Sequence, residues 1–121
     1  MKILIVDDNK DITDLFHKFL TLKKYLVEYV NDGKNGLSLM QDNNYDVLIL
    51  DLAMPNFTGF DVLEELQKKN KTKSNNIIVL SAVPLTDTDE EMLKKYGVKE
   101  ILRKPMELDA LIEIIETYSK K

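Results

Sequence analysis

The stretch "YDVLILDLAMPNFTGFDVL", Tyr45 to Leu63, decides how this chain is read. Val47, Leu48, Ile49 and Leu50 form an apolar run of the length of a buried strand. The run ends on Asp51, and Pro55 and Gly59 follow as turn residues before a second apolar periodicity begins. A carboxylate at the tip of a buried strand costs free energy unless it is paired, so Asp51 requires an explanation in chemistry as well as in packing.

Working outward, the same unit recurs. "KILIVD" (2–7) reads as a strand, and "KDITDLFHKFLTLK" (10–23) as a helix with Ile12, Leu15, Phe16, Phe19 and Leu22 on its inward face. "YLVEYV" (25–30) alternates, as an edge strand does, and "GKNGLSLMQ" (33–41) is a short helix weakened by Gly36. Residues 46–51 form the strand of the opening, and 59–69 a helix with Phe60, Leu63 and Leu66 inward. A polar connection, "NKTKSNN", leads to the strand "IIVLSA" (77–82). "TDTDEEMLKKY" is a helix for which Thr88 and Glu91 fit a capping box. "VKEILRK" (98–104) is the last strand, and "ELDALIEIIETYSKK" the last helix, with Leu108, Leu111, Ile112, Ile115 and Tyr118 inward. Five strands alternating with five helices predict a doubly wound α/β fold, a parallel sheet with helices on both faces.

The composition bounds the function. A length of 121 residues suits one domain, and 44% hydrophobic residues supply one core. A formal net charge of −4 lacks the basic footprint of a nucleic-acid-binding domain. The absence of cysteine removes disulfides, thiolate metal sites and cysteine nucleophiles. No apolar run approaches the roughly 18 residues of a membrane span, and Asp7 and Asp8 interrupt the apolar start too soon for a signal peptide. The expected location is the cytoplasm.

In open parallel sheets, ligands bind beyond the carboxyl ends of the strands. There the first strand delivers Asp7 and Asp8, the third Asp51, the fourth Ser81 and the fifth Lys104, followed by Pro105. Three carboxylates in one small site raise a pKa or demand a cation. Oxygen ligands suit a hard cation such as Mg2+, which keeps waters and recruits phosphate oxygens. Lysine and serine suit a phosphoryl group beside it, with one carboxylate as nucleophile. Taken singly, Asp7 or Asp8 is as readily a helix N-cap, Ser81 a strand end and Lys104 a solvated charge. Their coincidence on one rim favours function. His17, the sole histidine, lies off the expected inward face of its helix and reads as a solvated or partner-facing residue. "KKNKTKSNN" reads as a solvated loop, and "NDGKNG" as a turn and helix start without the spacing of a phosphate loop.

With "IVDD", "LILDLAMPNFTGFDVL", "IIVLSA" and "LRKP" in order, the whole chain resembles the receiver domain of two-component response regulators, in the form of the stand-alone chemotaxis regulator. The resemblance implies a flavodoxin-like (βα)5 fold with strand order 2-1-3-4-5, the order that the chemotaxis regulator shares with flavodoxin. It implies that Asp51 accepts a phosphoryl group from a phosphohistidine of a histidine kinase or histidine phosphotransfer protein. Mg2+ would be held by Asp8, Asp51 and the backbone carbonyl of Ala53, with Asp7 acting directly or through water. Lys104 would pair with phosphoryl oxygens, Ser81 would move to bond them, and the Lys104–Pro105 bond would be cis. The family often carries an aromatic at the position of Ile101 and a phenylalanine at that of Met106, so the usual aromatic switch is absent here and repacking would involve Leu102 and Met106. Ala53 and Val83, in positions flanking the attacking water, cannot orient it by hydrogen bonds, which predicts a long-lived phosphoryl state.

The expectation is a single receiver domain over 1–121 without an output domain, a phosphorylation-controlled switch that catalyses its own phosphoryl transfer and is not a turnover enzyme. Its face at 86–121 would signal to an unknown output protein by contact or onward phosphotransfer. It would be a monomer or a weak phosphorylation-dependent dimer, touching neither membrane nor, directly, nucleic acid. Two rivals remain at this point. An aspartyl-phosphate phosphatase or phosphotransferase would want a second acid where Ala53 stands. A flavodoxin-like nucleotide or flavin binder would want a phosphate loop where "DDNKD" stands.

Overall fold

A computed structural model describes residues 1–69, 76–104 and 106–119. Strands and helices alternate throughout: β1 (Lys2–Val6), α1 (Lys10–Leu22), β2 (Leu26–Val30), α2 (Gly33–Asp42), β3 (Val47–Asp51), α3 (Gly59–Lys68), β4 (Asn76–Ser81), α4 (Asp87–Lys95), β5 (Val98–Arg103) and α5 (Leu108–Ser119). The strands form one parallel sheet in the order β2-β1-β3-β4-β5. This is the doubly wound flavodoxin-like fold expected, with β2 at an edge.

Alternating strand side chains feed two cores. Leu4, Val6, Leu48, Leu50, Ile77 and Val79 pack under α2, α3 and α4, with Val62, Leu63, Leu66 and Leu93. Ile3, Ile5, Val47, Ile49, Ile78 and Leu80 pack under α1 and α5, with Phe16, Leu20, Leu111 and Ile115. Covering both faces is why β1, β3 and β4 are apolar at almost every position. β3 is buried along its whole length, Asp51 included.

Three local expectations are corrected. Leu15, Phe19 and Leu22 do not face the core: they are 46%, 39% and 70% exposed, while Thr13, Phe16 and Leu20 are buried. The helix is rotated toward a face that includes Thr13, whose hydroxyl is satisfied by the Lys10 carbonyl at 3.1 Å. His17, on that rotated face, is half-buried with its ring 5.2 Å from that of Tyr29. The cap of α4 is Thr86, not Thr88. Its hydroxyl accepts from the Asp89 N–H at 3.1 Å, while the Asp89 carboxylate accepts from the Thr86 N–H at 3.1 Å. The reciprocal bonds of a capping box are thus made with a shorter acid, one half-turn earlier than the Thr88–Glu91 pair. The expected cis peptide at Lys104–Pro105 and most of the "NKTKSNN" connection lie outside the described residues.

Candidate functional site: an acidic pocket at the carboxyl rim of the sheet

The chain leaves β1 at Val6 and turns at once, leaving Asp7 fully buried and Asp8 exposed. Neither is the cap of α1; Asn9 is, accepting from the N–H groups of Asp11 and Ile12. Asp7 instead shapes the turn, its Oδ1 accepting the Asn9 N–H at 2.9 Å. Asp51 ends β3 at 2% exposure. Lys104 follows β5, and its backbone N–H donates to the Ser81 carbonyl at 2.8 Å, extending the β4–β5 ladder by one bond. That bond aims the lysine across the rim. Its Nζ lies 2.9 Å from Asp7 Oδ2 and 3.5 Å from Asp51 Oδ2.

Asp7, Asp8 and Asp51 each offer an oxygen within 4.8 Å of the others. All-oxygen, carboxylate-rich donors at this spacing fit a hard divalent cation. The electrostatics agree. The Asp51 carboxyl is pushed up from 3.8 to about 7, first by burial, then by the facing Asp7 carboxylate. Lys104 and the Ala53 N–H, which donates to Asp51 Oδ1 at 3.3 Å, pull the other way, and Asp8 adds a smaller upward push. One ammonium is insufficient to neutralise this cluster, and a cation held by the three carboxylates would supply what is missing.

Ser81, 2% exposed, ends β4 on the same rim. Its hydroxyl donates to the Val83 carbonyl at 2.6 Å, so it is engaged with its own loop. Ile101 is half-buried and lines a cavity of about 260 Å3 with Val83, Pro84, Leu85, Glu90 and Arg103. A second cavity, of about 410 Å3, opens beside Lys104 and is lined by Ile12, Phe16, Leu80, Ala82 and Met106. The structure therefore brings Asp7, Asp8, Asp51 and Lys104 into one cluster and sets Ser81 beside it. Sequence reading missed Asn9, Thr13 and Asn31. Asn9 was legible as a favoured N-cap residue ahead of Lys10. Asn31 and Thr13 carry no local signal, because their roles arise from contacts between separate elements.

A doubly wound parallel sheet whose switch-point rim gathers an acid trio around a lysine is the arrangement that the resemblance to receiver domains implied. The chain belongs to the response regulator receiver domain family, whose model matches residues 3–116. It is similar to the receiver domain of the Francisella response regulator 1452, with 34% identity, a TM-score of 0.87, and coverage of 98% of this chain and 96% of that one. It is also similar to the Thermotoga maritima response regulator TrrA, solved in complex with Mg2+-BeF, with 31% identity, a TM-score of 0.80 and 97% of both chains covered. Among curated proteins, Response regulator ArlR of Staphylococcus epidermidis is 31% identical over 119 residues, 98% of this chain and 52% of that protein. Transcriptional regulatory protein CusR of Escherichia coli is 31% identical, again over 52% of its length. The chain thus spans about half the length of the curated relatives it matches. The expectation that nucleic acid is not touched directly gains no support from these relatives. No helix among the described residues is long and apolar enough to cross a membrane.

Proposed function

We propose that Asp51 is the phosphoacceptor of this receiver domain. The observation that carries the reading is the placement of Asp51, a nearly buried strand-end carboxylate between a facing acid pair and an ammonium 3.5 Å away. The donor is a phosphohistidine of a histidine kinase or histidine phosphotransfer protein. An Asp51 oxygen attacks phosphorus, the new O–P bond forms as the P–N bond breaks, and the imidazole leaves. Asp7, Asp8, Asp51 and the Ala53 carbonyl would hold Mg2+, whose charge offsets that of the transferring group and favours the ionised nucleophile. Lys104 stays within reach of the phosphoryl oxygens as a point charge.

The surroundings support both ends of the signal. The cavity beside Lys104, lined by Ile12, Phe16, Leu80, Ala82 and Met106, offers an apolar footing next to the acid cluster, and the exposed Leu15, Phe19 and Leu22 continue apolar surface along α1 away from it, suited to a helical donor. On the other side, Ser81 must give up its bond to the Val83 carbonyl to reach a phosphoryl group. That frees the loop which, with Ile101, borders the cavity against α4. The segment 86–121 would respond by repacking Ile101, Leu102 and Met106 rather than by swinging an aromatic ring. A tenfold change in affinity for an output protein needs about 1.4 kcal/mol of differential binding.

The test is incubation with Mg2+ and acetyl phosphate, followed by intact-mass measurement. One added phosphoryl group is expected on the wild type and none on Asp51→Asn. An equal adduct on both, or none on either, sinks the reading, and steady turnover of a phosphate ester would favour the phosphatase. Because Ala53 and Val83 are exposed and apolar, water beside the aspartyl phosphate lacks a side-chain hydrogen-bond partner at these two positions. Loss of the phosphoryl group from the isolated protein in Mg2+ is expected to be slow. Introducing Glu at residue 83 is expected to shorten its lifetime several-fold, and an unchanged or longer lifetime would contradict this.

A further inference from the structure

The geometry points to Asn31 as a positioning residue that, anchored by Thr13, holds the Asp7–Asp8 pair in its cation-binding arrangement. The inference rests on the reading of the acid trio as a Mg2+ site.

Four hydrogen bonds fix Asp7. Its N–H donates to the Val30 carbonyl at 3.2 Å, its Oδ1 accepts the Asn9 N–H, and its Oδ2 accepts Lys104 Nζ. The fourth is made by Asn31, whose Nδ2 donates to the Asp7 carbonyl at 2.9 Å. Had β2 run on, a backbone N–H would have supplied that donor. β2 ends instead at Val30, and Asp32 is already the N-cap of α2. The Asn31 amide therefore substitutes for the missing rung.

The bond matters because of what the carbonyl belongs to. The Asp7 carbonyl lies in the planar peptide that joins the two acids. Fixing its oxygen fixes that plane, and with it the direction in which the chain sets out Asp8. Asp8 is exposed, so burial does little to hold it. The second Nδ2 hydrogen goes to Thr13 Oγ1, also at 2.9 Å. Thr13 is fully buried, and its own hydroxyl donates to the Lys10 carbonyl at 3.1 Å. The Asn31 amide is thus braced against the first turn of α1, while β2 holds its backbone. Groups that orient metal ligands without touching the metal commonly change affinity 10–100-fold when removed. Asn31 acts through backbone, so the low end of that range applies.

The experiment is calorimetric titration of the full chain with Mg2+, beside thermal unfolding in EDTA. Asn31→Ala is expected to weaken Mg2+ binding about tenfold while its unfolding midpoint in EDTA falls by only a few degrees. Thr13→Val, close in shape, is expected to weaken binding about threefold. The double variant is expected to match Asn31→Ala, because Thr13 acts through the amide. An Asn31→Ala protein that loses stability but binds Mg2+ as the wild type does overturns the inference, as does a double variant showing the product of the two losses. If Asn31→Ala does not fold, Thr13→Val decides, and wild-type affinity there overturns it. A wild type that takes up neither Mg2+ nor phosphoryl group overturns the phosphoacceptor reading as well. A wild type that does both, matched by the variants, overturns this inference alone.

Discussion

Gly59→Ala is expected to cost about 3 kcal/mol of stability, near the upper end of what overpacking a core does. A methyl added at residue 59 would stand 2.6 Å from the Asp51 carbonyl oxygen and 2.8 Å from Leu52 Cα. Both are backbone atoms of the strand end and its exit, so no side-chain rotation relieves the contact. The close approach has a cause. The Gly59 N–H donates to the Leu52 carbonyl at 3.0 Å, drawing the first turn of α3 against the end of β3. Thr58 caps that helix with Asp61 in a reciprocal box, which holds the turn in place. Relief must come from moving the end of β3 or α3, and where β3 gives way the proposed phosphoacceptor Asp51 is displaced with it. The expected results are an unfolding midpoint lower by about 10 °C and slowed phosphorylation by acetyl phosphate in whatever fraction remains folded. A midpoint within about 2 °C of the wild type would show that the turn has slack.

Asp51→Asn is expected to stabilise the protein in EDTA, increasingly so as the pH rises. The sign follows from proton binding. The folded Asp51 carboxyl sits at about 7 against an ordinary 3.8, so between those values the folded state binds more protons than the unfolded one. Wild-type stability from this group therefore falls as the pH rises from about 4 to about 7, and levels off above that. Titrating alone, such an acid would account for about 4 kcal/mol. The substitution also takes a carboxylate from Lys104, leaving it Asp7 at 2.9 Å. A net gain of about 2 kcal/mol at pH 8, or roughly 8 °C in the midpoint, is the expectation. Little difference is expected near pH 4. Millimolar Mg2+ should narrow the gap, since a cation held at the proposed site would stabilise the ionised wild type more than the variant. A difference between the two proteins that does not vary with pH would show that Asp51 is not held in its neutral form.

These two effects meet in the stretch from Tyr45 to Leu63. Its apolar run made β3 legible, because burial on both faces of a parallel sheet demands an uninterrupted apolar strand. The turn residues made the break before α3 legible as well. The inward face of α1 was not legible. Ile12, Leu15, Phe16, Phe19 and Leu22 form one helical stripe, and Thr13, Phe16 and Leu20 another that shares Phe16. Hydropathy favours the first stripe, but the fold buries the second, because the Thr13 hydroxyl finds the Lys10 carbonyl and the Asn31 amide. The start of α4 was ambiguous for a similar reason. Thr86 and Thr88 each precede an acid by three residues, and the folded chain takes the earlier of the two overlapping caps.

By itself the sequence determined the alternation of five strands and five helices, the edge character of β2, and the arrival of Asp7, Asp8, Asp51, Ser81 and Lys104 at strand ends. Each of these depends on periodicity and turn chemistry among near neighbours, which a linear chain carries openly. Only the tertiary structure decided that Lys104 meets Asp7 across 97 residues, that Ser81 is engaged with Val83, and that Asn31 closes the last rung beside Asp7. It alone set the ionisation of Asp51, because a carboxyl's affinity for its proton depends on the water excluded and the charges facing it. Here those charges come from residues just past the ends of β1 and β5, segments brought to the tip of β3 by folding.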